Sequence, residues 1–224
     1  MKRDQSLRGV PKGRRSNLRD CFGFAFGCCL AMTLMMTVCL AEEAQEAPVL
    51  PTVEGSPLLG DVHAPVQIIE FTDFECHFCG QVQPALQQTL KTYPTQVNLV
   101  FKNFPLSMHR HAHTAHLAAM CAHEQGKFWE YRNVLFQNQS ALKRGDLLTY
   151  AKNLNLDSES FAKCLDEEKY TSKIEEDQNE GMRAGVMGTP TFFINGEAIS
   201  GAVPFSTFQE LIERKLAEKS GKEK

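Results

Sequence analysis

Apolar and polar positions along the chain fall into short strand-like and helix-like runs. From Val66 to Phe71 the residues are apolar and β-branched (Val66, Ile68, Ile69, Phe71), the composition of a buried strand. The run breaks at Asp73, and residues 81–92 read as a helix. Residues 96–104 alternate like a second strand and stop at Pro105-Leu106-Ser107, where Ser107 offers an N-cap. From 109 to about 185 the pattern is helical, in segments at 109–124, 127–137, 146–154, 158–166 and 168–184, punctuated by Gly126, Gly145 and Asp157. Strand character returns at 191–194, turns at Asn195-Gly196 and resumes at 198–200, a strong hairpin signal. Pro204 opens a closing amphipathic helix. The order β-α-β, helices, β-β-α predicts an α/β protein whose central mixed sheet is interrupted by an all-helical insertion.

Charge changes the picture at the N-terminus. Residues 1–41 carry a net +5, so the whole-chain −3 leaves −8 on the remainder, which argues against nucleic acid as a partner. Residues 21–41 are uncharged and rich in Phe, Leu and Met, and end in Cys39-Leu40-Ala41 before Glu42. A basic head, an apolar middle and a small-residue exit mark a secretory signal. The run is also long enough to span a bilayer as an uncleaved inner-membrane anchor; a lipid anchor on Cys39 is disfavoured by the bulky Val38. Each reading places the rest of the chain in the periplasm or another extracytoplasmic space, where disulfides persist. Four of the eight cysteines (21, 28, 29, 39) lie in this export segment. Residues 42–59, Glu/Ala/Pro-rich at their start, are expected to be a flexible tether.

The chemistry concentrates at Cys76-His77-Phe78-Cys79, where the first strand hands over to a helix. At a helix start the unpaired N–H groups and the positive dipole end favour an anion, and the thiolate is the species that does redox chemistry. C-x-x-C in this context reads as a redox pair. A structural zinc site would need a second close ligand pair, which neither Cys121 nor Cys164 supplies. Haem attachment would need His after Cys79, where Gly80 stands. His77 can add positive charge or a hydrogen bond to the Cys76 thiolate. Glu70 is an acid among Ile68, Ile69 and Phe71, costly to bury without a purpose, although strand parity also allows it to face solvent. His109, His113 and His116 fall at i, i+4 and i+7, a spacing open to zinc or copper. With no acid or thiol interleaved and Ala112, Ala115, Leu117, Ala118 and Ala119 around them, a polar face near the active-site rim is the better reading. No metal and no cofactor are expected.

E-F-x-D-F-x-C-x-x-C, the F-W-E-Y block at 128–131 and G-T-P-T-F-F-I-N-G at 188–196 together resemble the DsbA-like thiol:disulfide oxidoreductases of the thioredoxin superfamily, over residues 60–217. The resemblance implies a thioredoxin fold in two parts, 60–105 and 186–219, around a helical insertion at 106–185, with a short tail at 220–224. It implies that Glu70 is a buried acid relaying the proton of the second cysteine. It also implies that Thr189-Pro190 is a cis-proline loop facing the cysteines and exposing the Thr189 backbone to substrate. Pro84 matches a helix-kink proline of structural role, and Phe128, Trp129 and Tyr131 should pack the insert. Some members carry a second, non-catalytic bridge in the insert, so Cys121 and Cys164 are either that bridge or two buried free thiols. Expected partners are cysteine-containing exported proteins and a membrane redox partner, and the resemblance favours a monomer. Phe78 stands where strong oxidants of the family more often carry His, so disulfide introduction competes with a reductase or isomerase role on the same fold. A periplasmic metal chaperone is the remaining alternative.

Overall fold

The computed structural model describes residues 50–222. The expected export segment, its four cysteines and the first part of the expected tether lie outside the described residues. Two strands, β2 (Val66–Thr72) and β3 (Val97–Asn103), run parallel and flank the helix α1 (His77–Thr92) in sequence. Five helices come next: α2 (Ala112–Glu124), α3 (Phe128–Gln137), α4 (Arg144–Asn153), α5 (Ser158–Asp166) and α6 (Thr171–Arg183). The hairpin β4 (Thr191–Ile194) and β5 (Glu197–Ser200) turns at Asn195 and Gly196, both with positive φ, and α7 (Phe205–Lys222) closes the chain. A two-residue strand, β1 (Leu58–Leu59), completes a sheet ordered β1-β3-β2-β4-β5. This is the thioredoxin fold with helices inserted between β3 and β4.

Residues 50–59, expected as tether, pack against the domain. Leu58 and Leu59 pair with Val100 and Leu99, the Trp129 indole N–H donates to the Leu58 carbonyl, and the Thr52 N–H donates to Glu180. An edge strand of two residues leaves too little periodicity to be read from sequence.

Both faces of the sheet are covered. Val66, Ile68, Leu99, Phe192 and Ile194 pack with Val82 and Leu86 of α1 and Phe208 and Ile212 of α7. Ile69, Phe71, Val100 and Phe193 pack on the other side with Phe104 and Val186. The insert has its own core, which includes Tyr131, Leu135, Leu147 and Phe161, and it reaches the sheet through Phe101 and Phe74. Phe128 and Tyr131 lie in that core, and Trp129 packs at its edge. Cys121 and Cys164 are bonded, tying α2 to α5 across 43 residues of sequence.

Helix starts depart from the expected ones at several places, α4 at Arg144 rather than 146 and α6 at Thr171 rather than 168 among them, and two departures lie beside the cysteines. α1 begins at His77 rather than 81, so Cys76 is its N-cap and Cys79 lies inside its first turn. α2 begins at Ala112 rather than 109, and Ser107 caps nothing. Hydrogen bonds from Leu106 N–H and the His109 ring to Asp73, and from His111 N–H to Glu75, hold that stretch as a turn. His109 therefore precedes the helix, and the three histidines do not share one helical face.

Candidate functional site

The apolar run of β2 ends at Thr72, and Asp73 organises the loop that leads into α1. Its Oδ1 accepts from Glu75 N–H at 2.7 Å, and its Oδ2 accepts from Leu106 N–H at 2.6 Å. Its own N–H points at the Cys79 sulfur, 3.5 Å away. Gln139, in the loop after α3, donates to the Phe74 and Cys76 carbonyls at 2.9 and 2.7 Å. A Cβ at position 80 would fall on the Gln139 side chain, which accounts for glycine after the second cysteine. Loop and helix start are thereby fixed from two sides, and the two thiols with them.

Both cysteines are free thiols, within hydrogen-bond reach of one another, yet their surroundings drive them apart. The Cys76 pKa is lowered to about 5. The main cause is the Cys79 thiol donating to the Cys76 thiolate; burial opposes this, and the Thr189 side chain and the N–H groups of Cys79 and Phe78 reinforce it. The helix start thus does what its dipole and free N–H groups allow. The Cys79 thiol is pushed well above the ordinary range, chiefly by burial and then by its bond to the Cys76 sulfur, with Thr72 and the Asp73 N–H acting against the shift. Cys76 is the sulfur poised as thiolate, and Cys79 is the one that holds its proton.

Thr189-Pro190 is a cis peptide, and the Thr189 carbonyl accepts from the Cys76 thiol at 3.4 Å. The Thr189 hydroxyl has no hydrogen-bond partner of oxygen or nitrogen among the described residues. Glu70 is fully buried beneath the cysteines' helix, and its parity points it to the α1 face with Ile68. Its Oε2 accepts from Arg132 at 2.6 Å, and its Oε1 faces the Gln83 amide at 3.3 Å. The same Gln83 nitrogen donates to the Cys79 carbonyl at 2.8 Å, linking acid and second cysteine through one side chain.

The His77 Nε2 meets the Gln81 amide at 2.9 Å on the exposed side of α1. His116 is fully buried, bonded through Nδ1 to Asn103 at 2.8 Å, and burial depresses its pKa to about 3. It is a neutral core residue. Sequence reading missed Asp73, Gln83, Arg132 and Gln139. Arg132 was the legible one: a lone cation in an apolar helical run, opposite in sign to the lone acid of β2.

The thioredoxin family profile matches residues 52–214. A thioredoxin-like oxidoreductase from Silicibacter pomeroyi DSS-3 superposes with a TM-score of 0.67 at 26% identity, covering 73% of this chain and 92% of that one. Oxidised BdbD from Bacillus subtilis superposes with a TM-score of 0.68 at 25% identity, over 75% and 96% of the two chains. A Na(+)/H(+) antiporter NhaA 3 from Salinispora tropica is 40% identical over 154 residues, which are 64% of this chain and 24% of the antiporter. The chain thus spans about a quarter of the length of the curated relatives it matches. On fold, site and profile alike, the chain belongs to the thioredoxin family, in its DsbA-like form with helices inserted between β3 and β4.

Proposed function

We propose that the chain is an exported, monomeric thiol:disulfide oxidoreductase that introduces disulfides into cysteine-containing secreted or periplasmic proteins. A substrate thiolate attacks Sγ of Cys76 in the Cys76–Cys79 disulfide; a substrate–Cys76 bond forms as the Cys76–Cys79 bond breaks. The Cys79 sulfur leaves as thiolate and takes up a proton. A second substrate thiolate then attacks the substrate sulfur, and Cys76 departs as thiolate. Two electrons have passed from substrate to protein, and a membrane redox partner takes them up in turn.

The observation that carries this reading is the split acidity of the two thiols. A Cys76 thiolate that forms at about pH 5 is a good leaving group and stabilises the reduced protein, which makes its disulfide oxidising. Glu70 relays the Cys79 proton, with Gln83 holding the acid on the Cys79 side and Arg132 balancing its charge. The Thr189 backbone pairs with the substrate peptide as an added strand would.

The test uses the oxidised protein and a reduced, unfolded model protein in equimolar amounts. Substrate thiols should disappear as protein thiols appear, and Cys79→Ser, first converted to its Cys76–glutathione mixed disulfide, should release glutathione as a substrate–Cys76 mixed disulfide accumulates. No thiol transfer would sink the proposal. A reductase or isomerase on the same site is the second reading, favoured by Phe78 in the second variable position and by His77 turned toward Gln81. Alkylation trapping in intact cells separates the two: oxidised cysteines support the oxidase, reduced ones its rival.

A further inference from the structure

The cation beside the Cys76 sulfur was expected inside the C-x-x-C, at His77. That ring is committed to Gln81 on the exposed side of the helix. Another imidazole is delivered to the site from the turn between β3 and α2. His109 Nδ1 lies 2.8 Å from Asp73 Oδ2, the oxygen that also accepts from Leu106 N–H at 2.6 Å. Two residues further on, His111 N–H donates to Glu75 at 2.6 Å. Two carboxylates from the loop between β2 and α1 thus lash residues 106–111 onto the loop that presents Cys76. Asp73 is fully buried and accepts from three donors; only one, the His109 ring, can bring it a positive charge. The ring itself keeps about a quarter of its surface open to solvent.

We propose that His109, oriented by Asp73, is the cation that stabilises the Cys76 thiolate, so that the first turn of the helical insert supplies the charge that the residue after Cys76 does not. Physical chemistry supports the pairing from the side of the imidazole. Burial alone would disfavour its charged form, yet the Asp73 hydrogen bond, followed by the charges of Asp73, Cys76 and Glu75, holds its pKa above the ordinary histidine value. These three acidic groups all come from the loop between β2 and α1; Arg110 and His111 follow His109 in its own turn. Negative charge on this loop, that of Cys76 included, thus favours the ring's proton.

The inference rests on Cys76 being the attacked sulfur, and its test is separable from that reading. Thiolate absorbance against pH in a Cys79→Ser background reports the acidity of Cys76. His109→Asn keeps a donor where Nδ1 stands and removes the charge; it should make Cys76 an about tenfold weaker acid. His77→Asn should leave that acidity unchanged. Coupling between two titrating groups is reciprocal. The His109 ring, followed by NMR, should therefore lose its proton about tenfold more readily in Cys76→Ser/Cys79→Ser protein, by the factor that His109→Asn imposes on Cys76. This arm leaves the His109–Asp73 bond intact and decides the matter even if His109→Asn does not fold. An imidazole indifferent to the loss of Cys76, or a thiol that responds to His77→Asn but not to His109→Asn, would overturn the proposal. Exchange of the parent protein with glutathione disulfide checks the underlying reading: a parent that exchanges while His109 proves silent sinks only His109, and one that does not exchange sinks both.

Discussion

The Arg132 guanidinium lies 2.6 Å from the Glu70 carboxylate, and both side chains are closed off from solvent. The contact joins the helical insert to the central strand under the cysteines. Arg132 also lies over the rings of Phe136, Trp129 and Phe101, at 4.8, 5.5 and 5.9 Å. Two desolvated charges that meet with good geometry are costly to separate, since removing one partner strands the other. Arg132→Met should therefore destabilise the protein by about 3–5 kcal/mol. Adding Glu70→Gln should restore part of that loss, because no charge is then left unpaired. Urea unfolding of the two single variants and the double variant measures the coupling; simple additivity would refute it.

Gly181 of α6 lies against the aromatic cluster on the far face of the sheet. A Cβ there would stand 2.8 Å from the Phe104 ring and 2.9 Å from the Phe71 ring, both buried. In an open helix Gly→Ala gains about 1 kcal/mol from propensity. Here the overpacking cost of about 1–3 kcal/mol should prevail, because both rings are buried in the aromatic cluster. Gly181→Ala is expected to lower the melting temperature, and a rise would show that the rings shift at little cost.

The Cys121–Cys164 bond closes a loop of 43 residues within the insert. Chain entropy alone gives such a loop about 4 kcal/mol of stabilisation. Cys121→Ala/Cys164→Ala should lose about 2–4 kcal/mol while leaving the alkylation rate of Cys76 at pH 7 unchanged. A changed rate would place the bridge in the redox machinery.

Much of this molecule could be read from periodicity and motif. The hairpin at Asn195-Gly196, the buried strand at Val66 and the redox pair all rest on signals that lie within a few residues of one another. What could not be read are contacts that cross the chain. Asp73 reaches Leu106 and His109, and Gln139 reaches Phe74 and Cys76; no local pattern announces such pairs. Helix starts failed for the same reason. Ser107 has the chemistry of a cap, but Asp73 and Glu75 claim the neighbouring groups and delay α2 to Ala112. His77, next to the nucleophile in sequence, bonds along the helix to Gln81, a contact that motif alone does not announce.

The pH dependence of stability should differ between the two redox forms. In the folded dithiol the Cys76 pKa stands at about 5, below an unfolded value of about 8.5, so its thiolate contributes stability. A depressed pKa gives stability that is complete above the unfolded value and is lost as pH falls through the folded one. The contribution therefore grows from about pH 5 to about pH 8.5. Cys79 acts with the opposite sign. Its folded pKa is raised, so its contribution is whole below the unfolded value and declines as pH climbs past about 8.5. The disulfide has neither effect, and closing a loop from Cys76 to Cys79 gains little from chain entropy. On a Cys121→Ala/Cys164→Ala background, the reduced form should melt above the oxidised form near pH 7–8, and the gap should shrink as pH falls toward 5. Thermal melts at several pH values, with and without a phosphine reductant, measure that gap directly. A higher melting temperature for the disulfide at neutral pH would count against an oxidase, because the thiolate would then be too weakly held to make the disulfide oxidising.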